Sequence, residues 1–194
     1  MNPAAIILAA GESRRMGRPK AFLPLREGTF LTAIAATLGM RCSPVTAVFG
    51  FDAARLIPAA RALGVAAIEN PDYRLGMLTS LQTGLRSIPA GTETVLFTLV
   101  DHPAITASTI DALLKSPAPI AIPRFNNKRG HPVLIRRPII DEFLREPASS
   151  KVRDTIDRHA AEIDYVEVDD PGISDDIDDP ALYEKLLARE AARI

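Results

Sequence analysis

From Gly11 to Lys20 the chain reads Gly-Glu-Ser-Arg-Arg-Met-Gly-Arg-Pro-Lys, which places two glycines and four cations in one short stretch. Glycine lets backbone N–H groups approach an anion closely, and Arg14, Arg15, Arg18 and Lys20 add fixed positive charge, so the stretch suits a triphosphate. A solvated basic turn is the competing account. The position of both glycines and Lys20 just past a short apolar run argues for the ligand, because open α/β sheets bind at the carboxyl ends of their strands. Five residues separate Gly11 from Gly17 and Lys20 comes three later, which excludes the G-x-x-x-x-G-K-[ST] loop, and the dinucleotide G-x-G-x-x-G is absent as well.

Phosphoryl chemistry of this kind also calls for a divalent cation, and Mg²⁺ needs few protein ligands because substrate phosphates complete its shell. Asp101 qualifies: it follows the almost wholly apolar run Val95 to Val100, and Pro103 stiffens the turn behind it. The acidic stretch Asp169 to Asp179 is a second concentration of carboxylates. By itself Asp178 reads as a cap of the final helix or as part of a solvated run. His102 is a poor Mg²⁺ ligand and reads as an outward or supporting residue, and His159 as a residue of an amphipathic segment with no catalytic part.

These residues need a scaffold, and the apolar pattern supplies one. Runs of strand length (Ala4 to Ala9, Val45 to Phe49, Val65 to Ile68, Val95 to Val100, Ile120 to Ile122) alternate with segments of helical period (Phe30 to Leu38, Ala53 to Leu63, Leu78 to Ile88, Thr106 to Leu114). That alternation predicts a three-layer, Rossmann-like α/β fold with a mostly parallel central sheet. Thr106 is placed to cap its helix. The turn residues 126–130 between Ala121 to Phe125 and Pro132 to Ile135 predict a small antiparallel excursion. Helices at Arg137 to Arg145 and Lys151 to His159, a strand at Ile163 to Val168, and a closing helix from Pro180 to Arg189 complete the pattern.

With 194 residues, 47% hydrophobic and 24% charged, and without a linker or repeat, the chain reads as a single domain, 1–194. A net charge of −1 offers no general attraction to nucleic acid or to an anionic membrane. The lone Cys42 cannot form an internal disulfide, and no apolar run has membrane-spanning length. The expected location is cytoplasmic.

The opening stretch Leu8-Ala9-Ala10-Gly11-Glu12-Ser13-Arg14-Arg15-Met16-Gly17-Arg18-Pro19-Lys20 resembles the L-A-(A/G)-G-x-S-x-R-M-G-x-x-K pattern of the MobA-like nucleotidyltransferases, which load molybdopterin with a nucleotide. Leu99-Val100-Asp101-His102-Pro103 resembles that family's D-x-P strand end, and Asp176-Ile177-Asp178-Asp179-Pro180 its D-I-D-T-P stretch. The resemblance implies Asp101 and Asp178 as ligands of Mg²⁺, with Arg15, Lys20 and Asp101 catalytic. Asn70 to Gly84 resembles N-x-x-x-x-x-G-M-x-x-S-L-x-x-G. With the opening loop it implies Leu8, Ala10, Gly11, Arg15, Lys20, Asn70, Gly76 and Ser80 as nucleotide contacts, Gly84 reading instead as a helix packing contact.

Gly130-His131-Pro132 resembles the G-H-P element beside the acceptor pocket, which implies Gly130 and His131, the latter partly protonated, as acceptor contacts. Arg153 stands for the arginine of a Gly-Asp-x-Gly-Ala-Arg element from which Arg145 to Lys151 otherwise departs. Ala10-Gly11, where a guanylyltransferase branch carries two glycines, is similar to the cytidylyltransferase branch. The implied activity is transfer of CMP from CTP to a phosphorylated acceptor, molybdopterin first, with pyrophosphate released and a molybdoenzyme client or chaperone as partner. A sugar phosphate or another small phosphorylated acceptor is the alternative. A nucleotide-binding accessory protein without transfer activity is the reading from another class.

Overall fold

The computed structural model describes residues 2–192. In chain order the strands are β1 (Ala4–Ala9), β2 (Pro24–Leu25), β3 (Gly28–Thr29), β4 (Val45–Phe49), β5 (Ala66–Glu69), β6 (Thr94–Leu99), β7 (Ile120–Phe125), β8 (Lys128–Arg129), β9 (Val133–Arg136) and β10 (Ile163–Glu167). The helices are α1 (Phe30–Gly39), α2 (Ala53–Ala62), α3 (Met77–Ser87), α4 (Ala107–Lys115), α5 (Arg137–Arg145), α6 (Val152–Arg158) and α7 (Pro180–Ala191). The main sheet runs β10-β7-β9-β6-β1-β4-β5, with β8 paired to β7. The expected fold class holds. The antiparallel excursion lies deeper than its length suggests, since β9 is inserted between β6 and β7 and runs against both.

Strand periodicity sorts the core into two faces. From β1, Ala5, Ile7 and Ala9 join α1, α2 and α4 through Leu31, Ile34, Leu56 and Ile110. Ala4, Ile6 and Leu8 join α3, α5 and α6 through Leu81, Ile140, Phe143 and Ile156. β1 is buried along its whole length, so both faces of the strand must be apolar. Gly84 of α3 is the packing contact expected, because a Cβ there would lie 2.6 Å from Ile6 Cγ2. The β2–β3 hairpin went unread in the sequence because two-residue strands show no period. It forms a third cluster with α7, in which Leu23, Leu25 and Phe30 meet Tyr183 and Leu186.

Thr106 occupies the N-cap of α4 without capping it. Its backbone N–H and hydroxyl donate to Asp170 Oδ2 at 2.9 and 2.8 Å, and Thr109 donates to the same oxygen at 2.7 Å. Asp170, 1% exposed, thus does the capping from the acidic stretch, its other oxygen accepting from Gly172 N–H at 3.0 Å. This carboxylate stitches the segment leading to Asp176 and Asp178 onto the sheet.

His159 has the structural part expected of it. Its ring nitrogens lie 2.6 Å from Glu142 and 2.8 Å from Glu162, and those carboxylates hold the imidazole above its usual range against slight burial. A group with a raised folded pKa contributes stability fully below its unfolded value, near 6.5, and loses it as pH rises through the folded value. Partly solvated pairs are worth less than about 1 kcal/mol, so the melting temperature of the wild type should fall by roughly 1–3 °C from pH 6 to 8.5 relative to His159→Gln. Scanning calorimetry at both pH values checks this; parallel curves for the two proteins would remove His159 from the balance.

Among the described residues no helix is long and apolar enough to cross a membrane.

Candidate active site

β1, β4 and β6 end side by side, and a cleft of about 730 Å³ opens over their carboxyl ends. Leu8, Ala10, Gly11, Arg15, Lys20, Gly76, Ser80, Asp101 and Asp178 all line it. The residues after β1 make 3₁₀ turns at Arg14–Met16 and Lys20–Phe22, with Ser13 and Gly17 in left-handed conformations that fold the loop back over the strand end. A Cβ on Gly11 would meet no protein atom within 4 Å, so its missing side chain serves the open cleft and not internal packing. Gly76, at φ 128°, holds a backbone conformation that L-residues rarely adopt, and it starts α3.

Lys20 is 8% exposed, with its ammonium between two carboxylates. Nζ donates to Asp101 Oδ2 at 2.9 Å and to Asp178 Oδ1, and Arg15 donates to Asp178 Oδ2. Burial opposes the Lys20 charge, but the hydrogen bonds and charges of Asp178 and Asp101 outweigh it, leaving the ammonium above its ordinary range. The hydrogen bond from Lys20 holds Asp178 below the usual carboxylate range, Arg15 assisting. Asp101 is joined to the acidic loop through the backbone as well, its carbonyl accepting from Ile177 N–H at 3.0 Å.

Asp176 is the residue that sequence reasoning missed. Its carboxylate belongs with those of Asp101 and Asp178, with ligand oxygens all within 4.8 Å of one another. Burial and the neighbouring charges of Asp101 and Asp178 raise its pKa. The signal was there in the D-x-D spacing, because alternate residues of an extended loop face the same side. This all-oxygen donor set, with Asp101 Oδ1 buried and without a hydrogen-bond partner, fits a hard divalent cation.

Other expectations meet a different outcome. Asn70 is 1% exposed and does not line the cleft. Its amide donates to Thr79 Oγ1 and Ser80 Oγ, each at 2.9 Å, while its carbonyl accepts from Asp72 N–H, so it orients Ser80 from behind. Thr79 is turned inward too, donating to the Gly76 carbonyl at 2.9 Å. Arg18 is absent from the cleft wall, and its guanidinium sits 5.7 Å from the centre of the Tyr183 ring. Tyr73 and Arg74, unremarked in the sequence, line the cleft instead.

A second cleft of about 680 Å³ lies on the other side of Gly76 and Met77, which line both. Gly130, His131 and Arg153, the expected acceptor contacts, are on its wall, with Arg129 and Lys151 adding charge. Gly130 has a packing reason for its identity, since a Cβ would collide with the Ile173 carbonyl. His131 is not the protonated anion binder anticipated. Burial, with the neighbouring His102, pushes its pKa down to about 3, so the ring is neutral. His102 is buried and inward, not outward: its ring lies 4.8 Å from that of His131, and Nε2 is 3.8 Å from Asp101 Oδ1. Positive charge in this cleft therefore comes from Arg129, Lys151 and Arg153. Arg153 is exposed and pairs loosely, at 3.4 Å, with Asp157.

Comparison with known proteins bears directly on this arrangement. The family model described as the MobA-like NTP transferase domain matches residues 5–163. The molybdenum cofactor cytidylyltransferase of Escherichia coli K12 is 31% identical over 169 residues, covering 84% of this chain and 86% of the relative. A nicotine blue oxidoreductase of Paenarthrobacter nicotinovorans is 28% identical over 197 residues, covering 94% and 95%. Among solved structures, a Mycobacterium tuberculosis Rv0371C complex with manganese superposes with a TM-score of 0.77 at 23% identity, covering 97% of this chain and 99% of that one, which speaks for the fold. With the cationic loop, the strand-end aspartate and the D-x-D loop gathered at the carboxyl ends of the central strands, and the family model spanning most of the sequence, the chain belongs to the MobA-like NTP transferase family.

Proposed function

We propose that this protein transfers CMP from CTP to a phosphorylated acceptor, molybdopterin in the first instance, and releases pyrophosphate. The observation that carries the reading is the meeting of two clefts at one carboxylate cluster. One has the cationic loop for a triphosphate, and the other has Arg129, Lys151 and Arg153 for an anionic acceptor. An acceptor phosphate oxygen attacks the α-phosphorus in line; the bond from that phosphorus to the bridging oxygen breaks, and the electron pair leaves with pyrophosphate. A phosphate nucleophile is already ionised near neutral pH, so no side chain has to remove its proton. Arg15 and Lys20 neutralise charge on the triphosphate and the departing group. Asp101, Asp176 and Asp178 would hold Mg²⁺, which supplies Lewis-acid charge to the phosphates.

Ala10, on the cleft wall, supports the choice of CTP: its methyl group narrows the backbone approach that a purine would need. A cytoplasmic location and a molybdoenzyme as recipient belong to the same reading. Pyrophosphate release from CTP and from GTP, with molybdenum-loaded molybdopterin and Mg²⁺, tests it. Release with CTP is expected. Release with GTP alone would overturn the base assignment, and release only with a sugar phosphate would overturn the acceptor. Nucleotide binding without pyrophosphate from any acceptor would favour an accessory binding protein.

Lys20→Ala should weaken triphosphate binding by roughly 1.5–3 kcal/mol, the worth of a charged hydrogen bond. Titration calorimetry with CTP in the absence of a divalent cation checks this. Wild-type affinity in the variant would remove Lys20 from the nucleotide site.

A further inference from the structure

We propose that Lys20 is the resident counter-cation of the carboxylate cluster, and that a divalent cation takes its place only as the ammonium moves onto the triphosphate. Metal and nucleotide then bind with positive coupling. The inference rests on the nucleotidyl-transfer reading and extends it by giving Lys20 two successive partners.

The geometry favours such an exchange. Lys20 Nζ contacts Asp101 Oδ2 and Asp178 Oδ1, carboxylate oxygens of the cluster that would hold the metal. Arg15 takes the remaining oxygen of Asp178, so the described contacts leave Asp101 Oδ1 as the buried cluster oxygen without a hydrogen-bond partner. A metal entering beside an undisplaced ammonium would share the lysine's ligands and meet a like charge at short range. Without Lys20, three carboxylates would face one another in a partly buried pocket, so the lysine also offsets their repulsion. Lys20 lines the nucleotide cleft, which gives the displaced ammonium a new anionic partner once a triphosphate is present. By linkage, the factor by which nucleotide raises metal affinity is the factor by which metal raises nucleotide affinity.

The test is Mn²⁺ binding to the full chain without nucleotide, read from the loss of the free-ion paramagnetic resonance signal. Lys20→Gln should bind Mn²⁺ about tenfold or more tightly than wild type, because the charge-assisted contacts of Lys20 with Asp101 and Asp178 no longer have to be broken. Lys20→Arg, which keeps the charge, should stay close to wild type. Adding Asp101→Asn to Lys20→Gln should remove the gain. Equal affinity in wild type and Lys20→Gln overturns the proposal, as does binding in Lys20→Arg as tight as in Lys20→Gln. If Lys20→Gln melts early without metal, a larger Mn²⁺-induced rise in its melting temperature than in wild type reads the same exchange; an equal rise refutes it. Pyrophosphate release by the wild type is followed in parallel. Its absence beside the expected Mn²⁺ pattern would refute nucleotidyl transfer and leave the lysine exchange standing.

Discussion

Asp101→Asn should lower pyrophosphate release on the order of 10³-fold, the rate equivalent of the several kcal/mol that a metal-held charge supplies to a phosphoryl transition state. The variant keeps nearly the same shape and removes the negative charge. Lys20 would retain Asp178, but the Asp101 oxygen that has no hydrogen-bond partner would no longer belong to a carboxylate. Folding should be little affected, since the bond from Ile177 N–H goes to the Asp101 backbone carbonyl and survives the change. Steady-state pyrophosphate assays with a thermal melt of each protein separate the two effects. Turnover near the wild-type level in a folded variant would take Asp101 out of the reaction.

Asp170→Ala should cost as much stability as the loss of a large core side chain. The side chain is 1% exposed and accepts from the Thr106 backbone N–H, the Thr106 and Thr109 hydroxyls and the Gly172 N–H. Alanine leaves those donors facing a cavity, and Thr109 is itself 1% exposed, out of reach of solvent. Breaking a buried charged network in this way costs about 3–5 kcal/mol. For a domain of this size that corresponds to a melting-temperature loss of roughly 6–20 °C. Asp170→Asn keeps one acceptor oxygen and should fall between. The damage should reach the active site, because Gly172 packs against the Ala104 carbonyl and Asp175 N–H donates to the Gly172 carbonyl, one residue before Asp176. Calorimetry gives the stability; an alanine variant that melts within about 2 °C of wild type would mean that the threonines find other partners.

Arg189 adds a second tether to the same loop. It reaches from α7 to Asp175, and this hydrogen bond holds the guanidinium above its ordinary range. Asp179, and not Asp178, caps that helix, accepting from Leu182 N–H at 2.9 Å, with Pro180 behind it. The closing helix is therefore a support for the D-x-D loop, a part that its amphipathic pattern alone does not reveal.

The residue order by itself determined the alternation of strands and helices, the strand-end position of Asp101, the cationic loop after β1 and the family. Each depends on neighbours in the chain: apolar period, glycine spacing and a contiguous motif. Element ends shifted by a residue or two, as at β5 and α6, where fraying and caps decide. Only the tertiary structure decided which charges meet. Lys20 and Asp178 are 158 positions apart, and their pairing depends on β1 and β6 lying side by side with the acidic loop folded over their ends. It recruited Asp176 to the carboxylate cluster, turned Asn70 into a buried support and sent Arg18 to Tyr183. It also left His131 neutral, because desolvation is a property of the surroundings that close over a side chain, and local sequence carries no record of them.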